Sequence, residues 1–227
     1  MFTKGVEWDM IEDETLNRVR KAKLLEENNR RLRYLSKEEC LNLVACCDNH
    51  LRPIVMTALN AGMRKSEILN LRRDENLDLK HGAYGFILLK KTKNGERREI
   101  PINETLRETL DGLIPRLDVP YVLYDPGTGM PYKDIKRSFN SACGRAGIKD
   151  FHFHDLRHTF ASHLVMAGKD LVVVKELLGH RTLTMTLRYA HLAPSHKMNA
   201  VEVMDGIFRG ESSAQFGGAG RGYIVRK

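Results

Sequence analysis

The chain has 227 residues, of which 42% are hydrophobic and 29% are charged, and its formal net charge is +8. This composition supports a packed core and excludes a disordered or membrane-embedded chain, because no apolar run approaches the ~18 residues that span a bilayer. The positive charge favours a polyanionic partner, either a nucleic acid or a membrane surface. Four cysteines without a CxxC pair, and the lack of an apolar signal core, are typical of a cytoplasmic protein with reduced thiols.

The N-terminal part of the chain predicts a polar lead-in followed by short helices. Residues 1–33 are polar and show no periodic pattern, so we interpret them as a linker or the remnant of an N-terminal region. Ser36, with a glutamate three residues later, forms a capping-box pattern that begins a helix. Pro53 and Gly62 mark the first turn and the stop of the next helix, and residues 66–69 predict another short one.

A β-hairpin is the clearest prediction in the middle of the chain. Asn94 and Gly95 form the strongest short-range turn signal, and they separate two strand-like runs at 85–91 and 97–102. The hairpin carries a group of basic side chains, which are Lys90, Lys91, Lys93, Arg97 and Arg98.

The second half of the chain predicts helices and a flexible tail. Helical patterns cover residues 105–113 and 132–146. His154 or Asp155 is expected to cap the next helix, which ends at Ala167, and Asp170 to cap another, which ends at Gly179. Further helical patterns begin at Thr182, in a segment that carries Tyr189, and cover an amphipathic stretch at 196–208. Residues 210–227 are rich in glycine and predict a flexible tail. We therefore predict an α+β fold, mainly helical, with a small antiparallel β-hairpin or sheet, in a domain that spans residues 34–209.

The stretch FHFHDLRHTF at residues 151–160 contains histidines in patterns that suggest two different sites. His154 and His158 have the spacing of a zinc-binding pair on a helix, but the glutamate of the common motif is missing and no third ligand group stands out. His154 and Arg157 share a helix face near a helix N-terminus, where backbone N–H groups and a planar guanidinium favour a phosphate. The sequence therefore disfavours a metal site, and we expect no metal and no cofactor, while one His–Arg pair by itself is weak evidence for a phosphate site and needs matching groups from other parts of the chain.

Four motifs carry a resemblance to a known family. In chain order they are AGMRKSEILNL at 61–71, TKNGERREIPI at 92–102, HDLRHTFASHL at 154–164 and LLGHRTLTMTLRYAHL at 177–192. Together they resemble the catalytic domain of the tyrosine recombinases, the phage-integrase family, and the resemblance runs from about Arg33 to Leu192. It implies the fold of that domain and an enzyme that cleaves and rejoins DNA at specific sites.

The resemblance implies a set of catalytic residues, which are Arg64, Lys93, His154, Arg157, His180 and Tyr189. Arg64 and Arg157 are implied to grip the non-bridging oxygens of one phosphate, where fixed cations stabilise the charge that develops during transfer. Glu67 matches the family's acidic position and is expected to orient Arg64 or a histidine. His152 and His158 are expected to have structural roles.

The remaining members of this set are implied to move protons or to attack the phosphate. Lys93 matches the hairpin lysine that protonates the departing 5′ oxygen, with the two hairpin lysines before it as alternatives. His154 is expected to accept the tyrosine proton or to donate to the phosphate, and His180 to donate to a phosphate oxygen. Tyr189 is the implied nucleophile, its phenolate favoured by neighbouring cations, and its 3′-phosphotyrosyl bond forms without metal or ATP.

The resemblance also implies partners and leaves alternatives open. Double-stranded DNA is the implied partner, and its backbone suits the basic residues outside the site, namely Lys133, Lys136, Arg137, Lys175, Arg181 and Arg188. Full proteins of the family carry an N-terminal core-binding domain and are expected to act as tetramers on DNA. The helix at 196–208 is expected either to dock on a neighbouring copy or to pack on its own chain. The alternative functions are a type IB topoisomerase and a catalytically silent DNA-binding fragment.

Overall fold

The computed structural model of the chain describes residues 2–21, 32–89, 97–194 and 201. The chain divides into two compact units, residues 1–31 and 32–227. The first unit contains helices α1 (Phe2–Glu7) and α2 (Asp13–Lys21), whereas the sequence analysis predicted an irregular lead-in there. The sequence analysis assigned no helix here, and the linker role of residues 1–33 stays a prediction.

The second unit consists mainly of helices. In chain order they are α3 (Lys37–Ala45), α4 (Arg52–Ala61), α5 (Lys65–Leu69), α6 (Arg73–Asn76), α7 (Glu104–Asp111), α8 (Lys136–Arg145), α9 (Asp155–Met166) and α10 (Leu171–Leu178). After α10 come 3₁₀ helices at Leu183–Met185 and Leu187–Leu192, so the predicted single helix from Thr182 is wrong. Its β-branched threonines are poor helix formers, and Thr186 uses its hydroxyl to bond the His180 ring at 2.9 Å.

Local signals set the ends of several helices as predicted. Ser36 caps α3, since its hydroxyl accepts from the Glu39 N–H at 3.2 Å while the Glu39 carboxylate accepts from the Ser36 N–H at 2.8 Å. Helix α4 has a proline in its first turn and stops at Gly62, and α10 is capped by Asp170 and stops at Gly179. The two glycines have φ values of 58° and 62°, the left-handed conformation in which glycine meets no steric penalty.

Helix α9 begins differently from its prediction. His154 occupies the N-cap position, but its side chain makes no capping hydrogen bond. The carboxylate of Asp155 instead accepts from the backbone N–H of His152 at 2.8 Å, which fixes the loop before the helix. The sequence analysis expected one of these two side chains to cap the helix itself, and the structure corrects that expectation.

The described residues form an antiparallel sheet of three strands, in the order β1 (Leu77–Asp78), β2 (Phe86–Leu89) and β3 (Arg98–Pro101). Strands β2 and β3 are the predicted hairpin, with Ile87 opposite Ile100, and its tip at 90–96 lies outside the described residues. Strand β1 was not predicted, because two residues are too few to show alternation. The fold class is therefore confirmed as α+β, mainly helical with a small antiparallel sheet.

Helix α9 lies at the centre of the second unit. Leu156 near its start belongs to a large apolar cluster that includes residues of α3, α4, α7, α8 and the sheet. Ala161 and Val165 on a later part of the helix pack with Leu178 of α10 and with Tyr189. The start of α9 is thereby held beside the end of α10 and the loop after α4, as the hydrogen bonds below show.

The C-terminal predictions fall mostly outside the described residues. Of the predicted helix at 196–208 only Val201 is described, and the predicted tail at 210–227 is not described. None of the helices in the described part of the chain is both long enough and apolar enough to cross a lipid bilayer.

Candidate active site

Arg64 and Glu67 form an ion pair beside the turn that follows α4. Arg64 Nη1 donates to Glu67 Oε1 at 2.8 Å, and the backbone N–H of Arg64 donates to Glu67 Oε2 at 2.9 Å. Burial disfavours the charged carboxylate, but Arg98 and Arg64 outweigh it and hold the pKa of Glu67 below its usual value. The ionised carboxylate therefore contacts Arg64, and its expected role of orienting this arginine stays a prediction.

Arg157 lies in the first turn of α9 and is 3% exposed. Its Nη1 donates to the Gly62 carbonyl at 2.7 Å and its Nη2 to the Leu178 carbonyl, while Arg64 Nη2 lies 3.4 Å from the Gly179 carbonyl. Burial, reinforced by two nearby guanidinium groups, lowers the pKa of Arg157 to about 10. The two arginines predicted to hold the phosphate thus meet at the C-terminal end of α10, where free carbonyls favour cations.

Arg98 is a third arginine at this place, and the sequence analysis grouped it only with the basic residues of the hairpin. Its side chain is 5% exposed, with Nη2 donating to Glu67 Oε2 at 2.6 Å and Nη1 to the Leu178 carbonyl at 2.5 Å. One signal in the sequence points to it. In a strand, Arg98 alternates onto the same face as the apolar Ile100 and Ile102, so it is the inward-facing arginine of the hairpin.

His154 and His158 stand one turn apart at the start of α9, with ring centroids 5.0 Å apart. His158 Nδ1 lies 2.6 Å from the hydroxyl of Tyr189, so the histidine that bonds the tyrosine is His158. Burial lowers the pKa of His158 to about 4, and burial together with Arg157 lowers the pKa of His154. The contact gives His158 a place beside the predicted nucleophile, where the sequence analysis had expected only a structural residue.

His180 follows the glycine that ends α10. Its Nδ1 lies 2.9 Å from the hydroxyl of Thr186, and burial, followed by Arg157 and Arg64, lowers the pKa of its ring to about 3. The ring is therefore neutral at pH 7. When Nδ1 accepts from Thr186, the other ring nitrogen carries the proton and can donate to an anion.

Tyr189 lies in the 3₁₀ helix Leu187–Leu192 and is 1% exposed. Burial raises the pKa of its hydroxyl to about 12, although Arg188 and Arg157 act in the opposite direction. The two arginines thus favour the phenolate as expected, but in this conformation burial disfavours the charged form by more.

The structure brings together most of the predicted set. Arg64, Arg157 and His180 converge, His154 lies at the start of α9, and His158 of α9 contacts Tyr189 of the 3₁₀ helix Leu187–Leu192; Lys93 belongs to 90–96, outside the described residues. A cavity of about 270 Å³ opens beside them, lined by Arg97, Arg98, Glu99, Lys175, Glu176, Gly179 and His180. Across the described parts of the chain, no group of three or more His, Cys, Asp or Glu residues is arranged to hold a metal ion.

Comparison with known proteins identifies relatives of this chain. The integrase of Salmonella phage P22 is 32% identical over 213 residues, which cover 89% of this chain and 53% of the relative. The chain thus spans about half the length of the curated relatives it matches.

Solved structures agree with this relationship. The catalytic domain of bacteriophage HP1 integrase matches with 36% identity and a TM-score of 0.60, covering 76% of this chain and 95% of that one. A lambda integrase dimer bound to a COC′ core site shares the fold, with a TM-score of 0.63 over 81% of this chain and 69% of that one, at 22% identity. The sequence model of the phage integrase family matches residues 33–196, and the chain belongs to that family.

Proposed function

We propose that this chain is the catalytic domain of a site-specific DNA recombinase or integrase, which cleaves and rejoins DNA through a 3′-phosphotyrosyl intermediate. One observation carries the proposal. Two arginines, a neutral histidine and a histidine-bonded tyrosine, which come from four separate segments of the chain, surround the end of α10 and the start of α9. The relatives named above are integrases, which supports the same chemistry here.

In this proposal Arg64 and Arg157 bind the two non-bridging oxygens of the DNA phosphate to be cleaved. Each guanidinium has five N–H donors, and the hydrogen bonds to Glu67 and to backbone carbonyls use only part of them. The donors that remain match a phosphate in charge and geometry. Because they are fixed before the reaction, they stabilise the negative charge that develops on those oxygens, and His180 adds a neutral donor.

Tyr189 is the proposed nucleophile. Its oxygen bonds to phosphorus, the bond from phosphorus to the 5′ oxygen breaks, and that oxygen takes up a proton, which we assign to Lys93. The tyrosine proton passes to an imidazole, for which His158 is in contact and His154 is the neighbour. The phosphotyrosyl bond keeps the energy of the phosphodiester, so a 5′ hydroxyl reverses the step without metal or ATP.

Tyr189 has to move before it can attack a DNA phosphate. Its side chain is 1% exposed and its hydroxyl faces His158, so no DNA oxygen or phosphorus can reach it. The 3₁₀ helix that carries it is short and presents exposed Leu187 and, before it, exposed Leu183 and Met185. Apart from Tyr189 and Thr186, the segment has no fully buried side chain, so we propose that DNA binding shifts it and exposes the tyrosine.

The proposed partner is double-stranded DNA, and the proposed place of action is the cytoplasm. Exposed or half-buried basic residues supply backbone contacts, and they are Lys133, Lys136, Arg137, Lys175, Arg181 and Arg188. We further propose a homo-oligomer on DNA, a tetramer, in which residues 196–208 of one copy dock on another. A groove of about 510 Å³ between α3, α4 and α9, lined by apolar side chains such as Leu41, Leu59 and Phe160, supports this arrangement.

A trap for the covalent intermediate tests the function. The chain is incubated with duplex DNA from its own genetic context, nicked so that the short 5′-hydroxyl fragment diffuses away after cleavage. We expect a protein–DNA adduct that resists denaturant, that is lost in Tyr189→Phe and that persists in Tyr84→Phe, a control at a tyrosine 38% exposed. The adduct is expected to form equally in the presence of EDTA.

Other outcomes decide between the alternatives. Relaxation of supercoiled plasmid without a preferred site indicates the type IB topoisomerase. DNA binding without an adduct on any substrate indicates the catalytically silent DNA-binding fragment. An adduct that persists in Tyr189→Phe contradicts the assignment of the nucleophile, and loss of cleavage with EDTA contradicts the metal-free mechanism.

A further inference from the structure

Arg98 has a buried position that the assigned catalytic set leaves unexplained. Its guanidinium lies on the inner face of β3, and its Nε has no hydrogen-bond partner among the described residues. Burial lowers the pKa of Arg98, and Glu67 offsets this only in part. A buried cation with an unpaired donor is costly, and buried ion pairs add little net stability compared with apolar side chains of similar size. Stability alone therefore does not account for an arginine here.

The hydrogen bonds of Arg98 reach the partners of both phosphate-binding arginines. Its Nη2 donates to Glu67 Oε2 at 2.6 Å, while the other oxygen of that carboxylate accepts from Arg64 at 2.8 Å. Its Nη1 donates to the Leu178 carbonyl at 2.5 Å, and the same carbonyl accepts from Arg157. Arg98 thus connects the carboxylate that holds one arginine to the carbonyl that holds the other.

The packing of Arg98 also defines the turn that leads to His180. A Cβ added at Gly179 would lie 2.5 Å from Arg98 Nη1 and 3.0 Å from its Cδ, so the guanidinium passes directly over this glycine. Gly179 also has a φ of 62°, which already favours glycine. His180 is the next residue, so the same packing fixes where its backbone begins.

From these contacts we propose that Arg98 is a positioning residue of the active site. It holds Glu67, the Leu178 carbonyl and the Gly179 turn in one arrangement, so that Arg64 and Arg157 present their donors to the same phosphate. Arg98 does not touch the phosphate in this role, because its hydrogen bonds to Glu67 and to the Leu178 carbonyl face away from it and its side chain is buried. The inference rests on the proposed function.

Single-turnover cleavage of two DNA substrates tests this role. One substrate has an ordinary phosphate at the cleaved position, and in the other a methylphosphonate replaces one charged oxygen by a methyl group. On the ordinary substrate, Arg98→Met is expected to lower the cleavage rate on the order of a hundredfold, the effect of misplacing one charge-stabilising donor, with DNA affinity changed less than about threefold. On the methylphosphonate the difference from wild type is expected to shrink to less than about tenfold, because less charge needs stabilising.

A purely structural role predicts a different result. General loosening of the fold slows both substrates by the same factor, so equal defects on the two DNAs overturn the proposal. Arg98→Lys keeps the charge but not the planar fork, and an intermediate rate is expected; if Arg98→Met does not fold, this variant carries the comparison. Arg116→Met, which removes an exposed arginine paired with Asp118, is the control for lost positive charge.

The position of Arg98 behind Glu67 is tested by a double-mutant cycle. If Arg98 acts through Glu67, the rate defects of Arg98→Met and Glu67→Gln are non-additive, and the double variant is little slower than the slower single one. If the rate defect of the double variant equals the product of the two single defects, Arg98 acts independently of Glu67 and the positioning role is overturned. Wild-type protein without an adduct on either DNA signals failure of the proposed function, whereas wild-type activity in Arg98→Met signals failure of this inference alone.

Discussion

The buried histidines of the site are expected to make the fold sensitive to mild acid. Their pKa values, about 4 for His158 and about 3 for His180, lie well below the value near 6.5 of an unfolded histidine. A depressed folded pKa means that the stability is present above pH ~6.5 and is lost as the pH falls below it, since the unfolded chain then binds protons that the folded chain does not.

The size of this effect follows from the unfolded pKa. Between about pH 8 and about pH 5.5, an unfolded histidine gains roughly 1.4 kcal/mol from protonation, and a group whose folded pKa is about 4 gains almost nothing. Each of the two histidines is therefore expected to lower the free energy of unfolding by about 1.4 kcal/mol over this range. The result depends little on how far below 5.5 the folded pKa lies.

Urea unfolding at both pH values, followed by far-ultraviolet circular dichroism, measures the effect. In His158→Gln the loss of stability on acidification is expected to be about 1.4 kcal/mol smaller than in wild type, and His180→Gln should behave alike. His191→Gln changes an exposed histidine on the same 3₁₀ helix as Tyr189 and serves as the control. If His158→Gln loses as much stability as wild type, the ring is protonated in the folded state and the reasoning fails.

Three further predictions concern contacts around the site. Gly179→Ala is expected to lower the free energy of unfolding by more than about 2 kcal/mol, and by more than Gly147→Ala. Gly147 also has a left-handed φ, of 71°, but a Cβ there would meet open space, whereas a Cβ at Gly179 would meet Arg98. Equal losses of stability in urea unfolding would contradict the close packing of Arg98 on Gly179. Thr159→Val removes a buried hydroxyl that bonds the segment before α3 at 3.1 Å, and calorimetry should show a loss of roughly 1–3 kcal/mol; an unchanged melting temperature contradicts this. Val201→Glu, at a position 70% exposed, is expected to reduce the number of copies bound per DNA in sedimentation experiments, and an unchanged number favours packing of 196–208 on its own chain.

The sequence predicted those parts of the fold that depend on local signals. The capping box at Ser36, the glycine stops at Gly62 and Gly179 and the hairpin strands each follow from a few neighbouring residues, and the structure has them. The identity of the arginine pair came from motif resemblance, and the structure brings the two side chains to adjacent carbonyls. These features need no knowledge of how distant segments pack.

The parts that failed depend on packing between distant segments. The contact of His158 with Tyr189 joins two elements whose relative placement no local pattern encodes. The burial of Tyr189 was missed for a related reason, since cations near this tyrosine can be inferred from motifs, but the depth of its burial cannot. Arg98 lay between these cases, because strand alternation indicates its inward direction but not what it meets there.

The described site holds more positive charge than its acidic residue balances, and in the proposed reaction this excess charge stabilises the phosphate in the transition state. Arg64, Arg98 and Arg157 gather around Glu67, and the pKa of Arg157 falls to about 10. Burial is the largest cause of this fall, and repulsion from Arg64 and Arg98 adds to it. A DNA phosphate relieves this repulsion with one negative charge, and the transition state, with more charge on the same oxygens, relieves it further. The binding energy of the arginines is therefore greatest where it lowers the barrier, at the transition state and not in the ground-state complex.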